Sequence, residues 1–213
     1  MTHWAEDQAR TTPRDDLGPH EAKGVRAFVA VRMSEQVEQS VAETIEELAH
    51  TRDGVRWVPR ANLHITLKFL GPAVDSHQLH RLTGGLQQLA TKTAPFEVAA
   101  TGIGAFPNLE HPRAIWVGLH AVEAGSLAAL AARLETVAAE YGFPRETRRW
   151  SGHLTIGRVG DRPIASKTRQ ALHALRDREF GVSKIESITL YRSHLGASGA
   201  SYEALATFLF QPR

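Results

Sequence analysis

Two His-x-Thr triplets are the residues of this sequence best suited to chemistry. They read His64-Ile65-Thr66-Leu67 and His153-Leu154-Thr155-Ile156. In an extended chain alternate side chains share a face, so each histidine lies beside its threonine and the apolar residues face the core. Imidazole has an ordinary pKa of about 6.5, which suits it to accepting or donating a proton near neutral pH. The triplets therefore predict a site with two acid–base groups and two hydroxyl donors.

The sequence contexts of the triplets are stronger evidence for a site than the triplets themselves. About one His-x-Thr triplet is expected by chance in a chain with 11 histidines. In each half of the chain a strand, a helix and a second strand succeed one another, and the second strand holds the triplet. The spacing from Phe28 to His64 nearly equals that from Trp116 to His153. This pattern predicts an internal duplication. The alternative is an ordinary alternation of helices and strands with the same pitch.

Apolar periodicity and turn residues predict the elements that must position these side chains. In the first half they are strands 25–32, 55–58, 63–69 and 96–103 and two helices, one after Ser34 and one capped by Asp75. In the second half they are strands 113–119, 152–159, 183–192 and 202–210 and helices 124–141 and 163–178.

We expect Gly71-Pro72 to end strand 63–69, and the alternation there to place Phe69 in the core beside Leu67. The predicted fold is α+β and two-lobed, with pseudo-twofold symmetry and antiparallel sheets flanked by helices around a central cleft. One bilobal domain spans residues 25–213, and its lobes exchange near 104–112.

Composition excludes several classes of protein. The 213 residues fit one large domain or two small lobes, and the lack of cysteine excludes disulfide frameworks, thiolate nucleophiles and cysteine zinc sites. A formal net charge of +2 does not suit binding of duplex DNA by bulk charge. The sequence contains no apolar run of about eighteen residues, so it predicts no membrane span. Residues 1–24 lack the apolar block of a signal peptide, so we expect a disordered extension and a cytoplasmic protein.

The chain resembles the 2H phosphoesterase superfamily and, within it, the RNA 2′,3′-cyclic phosphodiesterases, also called 2′-5′ RNA ligases. The resemblance is carried by RAFVAV (26–31), NLHITLKFLG (62–71), GAFPNLEHPRAIWVGL (104–119), GHLTIGRV (152–159) and LYRSHLGASGASYEAL (190–205). It covers about residues 25–211. Members usually carry proline before the second histidine, where this chain has Gly152.

This resemblance implies hydrolysis of 2′,3′-cyclic phosphates at RNA or nucleotide ends to 2′-phosphomonoesters, without metal or cofactor. It also implies a reverse reaction that joins RNA ends by a 2′-5′ bond. It makes His64 the proton donor and His153 the proton acceptor, an order that the near-equivalent halves of the sequence leave open. We expect a monomer.

Hydrolysis of a cyclic phosphate needs a base for the attacking water and an acid for the departing ribose oxygen, on opposite sides of phosphorus. Two histidines facing each other across a cleft meet this requirement. Thr66 and Thr155 would donate hydrogen bonds to the non-bridging oxygens. Two alternatives stay open: another cyclic phosphodiester or a 2′-5′ oligonucleotide as substrate, and a module that binds RNA ends without catalysis.

Four further residues are predicted to bind substrate: Lys68, Arg149, Arg158 and Phe28. Lys68 shares the face of His64 in a regular strand. Arg158 points to the opposite face from His153 and would reach a phosphate only if the strand bends. Phe28 and Phe69 would stack on a base, or else belong to the core, where the alternation places Phe69.

Arg149 lies in a run with Arg145, Arg148 and Trp150 that lines the mouth of the cleft or forms a solvated turn. His77 and His80 share a helix face without a third ligand, so no metal site is predicted.

Overall fold

The computed structural model of this chain describes residues 24–49, 54–122, 126–160, 163–196 and 199–211. The predicted disordered extension lies outside the described residues, apart from Gly24. The strands are β1 (Val25–Val31), β2 (Val55–Trp57), β3 (Ile65–Val74), β4 (Phe96–Phe106), β5 (Ala114–Ala121), β6 (His153–Val159), β7 (Glu179–Ile185), β8 (Ser187–Gly196) and β9 (Gly199–Leu209). The helices are α1 (Glu35–Ala49), α2 (Ser76–Thr91), α3 (Ser126–Glu140) and α4 (Ser166–Ala174), and one 3₁₀ turn covers Arg60–Asn62.

The strands form two antiparallel sheets, with the orders β3-β1-β8-β9 and β2-β6-β5-β4-β7. The first triplet leads into β3, which pairs with β1, and the second opens β6, which pairs with β5. Each pair is joined through a helix, α1 in the first case and α3 in the second. The predicted α+β, two-lobed fold is confirmed.

The helices form because each has one apolar face to bury. In α1 the predicted face is Val37, Val41, Ile45 and Leu48, and all four are buried. The four predicted leucines of α2, at positions 79, 82, 86 and 89, are buried as well. Asp75 caps α2 by accepting a hydrogen bond from the Gln78 amide at 3.0 Å, an interaction that contributes about 1 kcal/mol. The apolar faces of α1, α2 and α3 belong to one core cluster with both sheets.

The lobes are tied together by strands that cross from one half of the sequence to the other sheet. β2 and β4 come from the first half but belong to the five-stranded sheet. β8 and β9 come from the end of the chain and complete the four-stranded sheet beside β1. The chain therefore crosses to the five-stranded sheet first at β2 and again at β4, which begins at Phe96. This exchange fixes the relative position of β3 and β6, the two strands that carry the triplets.

A β-bulge interrupts each of these strands just after its triplet. On β3, Thr66 is opposite Ala30 and Lys68 is opposite Val29, so Leu67 is the extra residue. On β6, Thr155 is opposite Trp116 and Gly157 is opposite Ile115, so Ile156 is the extra residue. Both extra residues stand three places after their histidine. A shared irregularity at equivalent positions supports the predicted duplication.

An extra residue reverses the alternation of side chains beyond it. Phe69 and Arg158, each five places after a histidine, therefore return to the face of that histidine. Phe69 is 45% exposed, so its predicted place in the core was wrong. Lys68 turns away from the face of His64 and is only 5% exposed.

Two predicted strand boundaries also differ from the structure. β3 continues through Gly71-Pro72 to Val74, because it is an edge strand, where proline leaves no ladder hydrogen bond unmade. The predicted strand at 183–192 is two strands, β7 and β8, which belong to different sheets and are separated at Glu186.

Candidate active site

The His64 ring is held by hydrogen bonds at both nitrogens. Nδ1 lies 2.8 Å from the carbonyl oxygen of Asn62, and Nε2 lies 3.1 Å from the hydroxyl of Thr66. Since a carbonyl oxygen only accepts, Nδ1 carries a proton and donates it there. Nε2 is then the nitrogen that can gain or lose a proton beside the threonine hydroxyl. Asn62 is itself fixed, because its side-chain amide donates to the carbonyl of Ala200 on β9 at 2.7 Å.

His153 repeats this arrangement in the second lobe. Its Nδ1 lies 2.9 Å from the carbonyl oxygen of Ser151, which again stands two residues before the histidine. The backbone thus selects the same tautomer in both rings and leaves Nε2 for proton transfer. Phe106 packs edge-on against the His153 ring with centroids 5.1 Å apart. The two histidines are matched in tautomer as well as in sequence.

Both triplets face one cleft between the lobes. A pocket of about 550 Å³ is lined by Thr66 from β3 and by His153 from β6, together with Trp150 and the exposed Arg149. The indole N–H of Trp150 donates to the backbone carbonyl of Thr66 at 3.1 Å and so links the two strands. Thr155 is half-buried two residues after His153. The structure therefore brings Thr66 and His153 to one pocket, with His64 hydrogen-bonded to Thr66 and Thr155 on the same strand as His153.

The surroundings of His64 disfavour its charged form. Burial lowers the pKa of His64 below its ordinary value, and the positive charges of Arg32, Arg158 and His153 lower it further, while the hydrogen bond to Asn62 acts in the opposite direction. Arg32 is oriented by the buried carboxylate of Glu38, to which its Nε donates at 2.8 Å. The site thus gathers several positive charges, which a bound anion would relieve.

Phe28 packs against the ring of His64. It is only 5% exposed, so it offers no open face to a base, and its predicted role as a stacking surface was wrong. Its ring centroid lies 4.8 Å from that of His64 and 5.2 Å from that of Tyr191. Tyr202 contacts the His64 ring edge-on at 4.9 Å. These aromatic rings restrict the imidazole to one orientation.

Lys68 is directed into the interface between β3 and α3. Its ammonium group donates to both carboxylate oxygens of Glu135, at 2.8 and 2.9 Å, and to the carbonyl of Pro144 at 2.9 Å. All three of its protons are therefore engaged within the protein. The prediction that Lys68 neutralises the substrate assumed regular alternation, and the bulge on β3 removes that assumption. Lys68 instead anchors the start of the segment that carries Arg149.

The prediction that Arg158 reaches a phosphate requires its strand to bend, and the structure provides that bend. The bulge on β6 brings its exposed side chain to the face of His153, and its charge acts on His64. Gly152 has a specific role in this chain. A Cβ at position 152 would overlap the ring of Trp150, so glycine lets that ring lie against the start of β6. Sequence reasoning missed Arg32, Asn62 and Phe106 because loops and neighbouring strands bring them to the histidines.

Two other features of the sequence contribute nothing to the site. His77 and His80 are exposed on α2. Within the described ranges, no three His, Cys, Asp or Glu side chains come close enough together to hold a metal ion. No helix in the described part of the chain has the length and apolar character needed to cross a membrane.

Comparison with known proteins agrees with this geometry. The family model of the 2′-5′ RNA ligase superfamily matches residues 37–197. The RNA 2′,3′-cyclic phosphodiesterase of Aquifex aeolicus is 31% identical over 188 residues, which cover 87% of this chain and 97% of that protein. The protein of the same name from Archaeoglobus fulgidus is 32% identical over 184 residues, covering 86% of this chain and 99% of that protein.

Solved structures share the fold. A crystal structure of a Thermus thermophilus protein superposes with a TM-score of 0.74 at 27% identity, over 88% of this chain and 98% of the other. Escherichia coli LigT in complex with 3′-AMP superposes with a TM-score of 0.67 at 22% identity, over 87% and 98% of the two chains. The second likeness concerns the fold alone.

Proposed function

We propose that this chain, which belongs to the 2′-5′ RNA ligase superfamily and is a cyclic phosphodiesterase, hydrolyses 2′,3′-cyclic phosphates at RNA or nucleotide ends with His64 and His153 as its acid and base. One observation carries this proposal. Each histidine donates from Nδ1 to the carbonyl two residues before it, and each stands at the start of a strand that lines the same cleft. Binding alone would not require two matched imidazoles.

In the proposed reaction a water molecule attacks phosphorus in line with the bond to the ribose O3′. Nε2 of His153 accepts a proton from this water as the new P–O bond forms. Nε2 of His64 donates a proton to O3′ as the P–O3′ bond breaks, so the product carries a 2′-phosphate and a free 3′-hydroxyl. Each proton transfer typically contributes 10²- to 10⁴-fold to the rate. The two histidines exchange protonation states during a turnover.

Thr66, Thr155 and Arg158 stabilise the charge on the non-bridging oxygens in this proposal. The threonines stand two residues after the histidines, and Arg158 reaches the same face through the bulge on β6. A bound phosphodiester also opposes the positive charges that lower the pKa of His64. Binding of the substrate therefore favours the protonated form that a proton donor requires.

The pocket beside Trp150 suits the terminal nucleoside. Its floor includes Leu67 and Phe69, and exposed arginines stand at its rim, among them Arg149. Aromatic rings and arginines together are typical of sites that bind single-stranded nucleic acid. The near-neutral charge of the whole chain, +2, fits recognition of an RNA end better than binding of a long strand.

All the proton transfers in this scheme use side chains of the protein, so we propose that neither a metal ion nor a cofactor takes part. Attack by a ribose 5′-hydroxyl in place of water would displace the same O3′ and leave a 2′-5′ bond. This accounts for the ligation that the resemblance implies as a second use of the same site.

The test is hydrolysis of adenosine 2′,3′-cyclic phosphate in the presence of EDTA, with the position of the product phosphate identified by ³¹P NMR. We expect adenosine 2′-phosphate, and loss of turnover in His64→Ala and in His153→Ala. The matched control is His77→Ala, which removes an exposed histidine of α2 and should keep full activity. A 3′-phosphate product, inactivation by EDTA, or activity in the double histidine variant would contradict the proposal.

A further inference from the structure

A second pocket opens beside His64. It has a volume of about 430 Å³, within the range of ligand sites. Its walls come from β2, from β6 and from the hairpin of β8 and β9. Asn62 and Tyr202 belong to both this pocket and the surroundings of His64: Asn62 accepts the hydrogen bond from the imidazole, and the Tyr202 ring lies 4.9 Å from it.

Three arginines line this pocket: Arg26 on β1, Arg56 on β2 and Arg158 on β6. No acidic side chain lines it among the described residues. Arg26 lies over the ring of Phe69, with its guanidinium carbon 4.5 Å from the ring centroid. In the part of the chain that the structure describes, none of the three arginines forms a salt bridge. The pocket therefore has a positive charge that the protein does not neutralise.

The register of the sheet adds a second observation. Arg56 is directly opposite Arg158 in the pairing of β2 with β6. Like charges directly opposite each other destabilise a sheet. Several other arginines on the described surface do have carboxylate partners, as Arg60 has Glu35. An anion in the pocket would lie near both guanidinium groups and remove this repulsion.

The apolar part of the pocket indicates the kind of anion. Trp57 follows Arg56 and packs against Gly157, where an added Cβ would lie 3.0 Å from its ring. Pro59, Val58 and Tyr202 also contribute to the walls. Arginines combined with an aromatic wall suit a nucleotide unit better than a free inorganic anion.

We propose that this pocket binds the nucleotide that precedes the terminal one in an RNA substrate, with Arg56 as the specificity residue for its phosphodiester group. The inference rests on the proposed function, because it assumes that the cyclic phosphate lies between the two histidines. Arg158 stands between the two subsites, since it lines this pocket and acts on His64. The enzyme would then prefer an oligonucleotide end to a free cyclic mononucleotide.

The experiment compares kcat/KM for two substrates, adenosine 2′,3′-cyclic phosphate and the dinucleotide ApA that ends in a 2′,3′-cyclic phosphate. We expect the native protein to prefer the dinucleotide. Arg56→Ala should lower the ratio of the dinucleotide to the mononucleotide value by about 10- to 100-fold, the range expected for a lost hydrogen bond to a charged group. Arg56→Lys should lower it less, because it keeps the charge without the planar fork.

Arg81→Ala is the matched control, since it removes the same charge from an exposed position on α2. It should leave the ratio unchanged. Equal values for the two substrates in the native protein, or a ratio unaffected by Arg56→Ala in a folded variant, would overturn the inference. Failure of the proposed function is a separate result, because hydrolysis of the mononucleotide would then survive replacement of His64 and His153.

Discussion

Replacing Lys68 by methionine distinguishes a structural lysine from one that binds substrate. Lys68 has a side chain that is 3% exposed, and Glu135, its partner, is 20% exposed. Methionine keeps most of the aliphatic stem and removes the ammonium group. The carboxylate of Glu135 then loses the lysine at 2.8 Å and keeps the amide of Glu146 at 3.2 Å.

Removing one partner of a buried ion pair destabilises a protein by about 3–5 kcal/mol, because the other charge remains buried. Glu135 is partly exposed and retains one donor, so we expect the lower end, about 3 kcal/mol. The carbonyl of Pro144 also loses its donor. Replacing both partners, as in Lys68→Met/Glu135→Leu, removes the unpaired charge and should recover part of this loss. The double variant should therefore be more stable than the sum of the single changes predicts.

The assay is urea unfolding of the native protein, both single variants and the double variant, at equal pH and salt. KM for a cyclic mononucleotide is measured on the same samples below their unfolding range. We expect a large fall in the free energy of unfolding for Lys68→Met. A rise in KM without any loss of stability would refute the reasoning and show that Lys68 binds the phosphate of the substrate.

Four further substitutions test other parts of the structure. The pKa of His64 in the folded protein is lowered from 6.5, so the unfolded chain binds more protons there than the folded chain does. Stability therefore falls as pH drops below about 6.5, until the folded pKa is passed. His64→Gln should flatten this fall in urea midpoints measured between pH 5 and about 8. Gly104→Ala places a Cβ against the ring of Trp116, so we expect it to destabilise the protein by about 1–3 kcal/mol in thermal unfolding, and an unchanged Tm would contradict that packing. Thr66→Val and Thr155→Val should each lower kcat by about 10²- to 10³-fold with little change in Tm, and unchanged kcat would exclude both hydroxyls from the reaction.

The positions of the two triplets could be predicted because strand periodicity is a local property. In 63–67 and 153–156 polar and apolar side chains alternate, and the structure places them as the alternation requires. The helix faces follow in the same way from leucine and valine spacing. The repeat of strand, helix and strand then brings the triplets to equivalent places in the two lobes.

The side chains beyond each triplet could not be predicted, because a bulge has no local signature in residues such as Leu67 and Ile156. One extra residue on each strand turned Lys68 away from the face of His64 and brought Phe69 and Arg158 to the faces of the two histidines. The other neighbours of the histidines depend on long-range contacts. Phe28 lies beneath His64 only because β1 pairs with β3.

The most direct test of the paired-histidine mechanism replaces the leaving oxygen. In a nucleoside cyclic phosphorothiolate with sulfur in the 3′-bridging position, the leaving group is a thiolate, which departs without protonation because a thiol is far more acidic than an alcohol; the cysteine thiol, for comparison, has a pKa of about 8.5. With the ordinary substrate we expect both His64→Ala and His153→Ala to lose about 10²- to 10⁴-fold in kcat. With the sulfur substrate His64→Ala should recover most of its activity, and His153→Ala should not. Equal losses of both variants on the sulfur substrate, or rescue of His153→Ala alone, would contradict the roles of His64 as proton donor and His153 as proton acceptor.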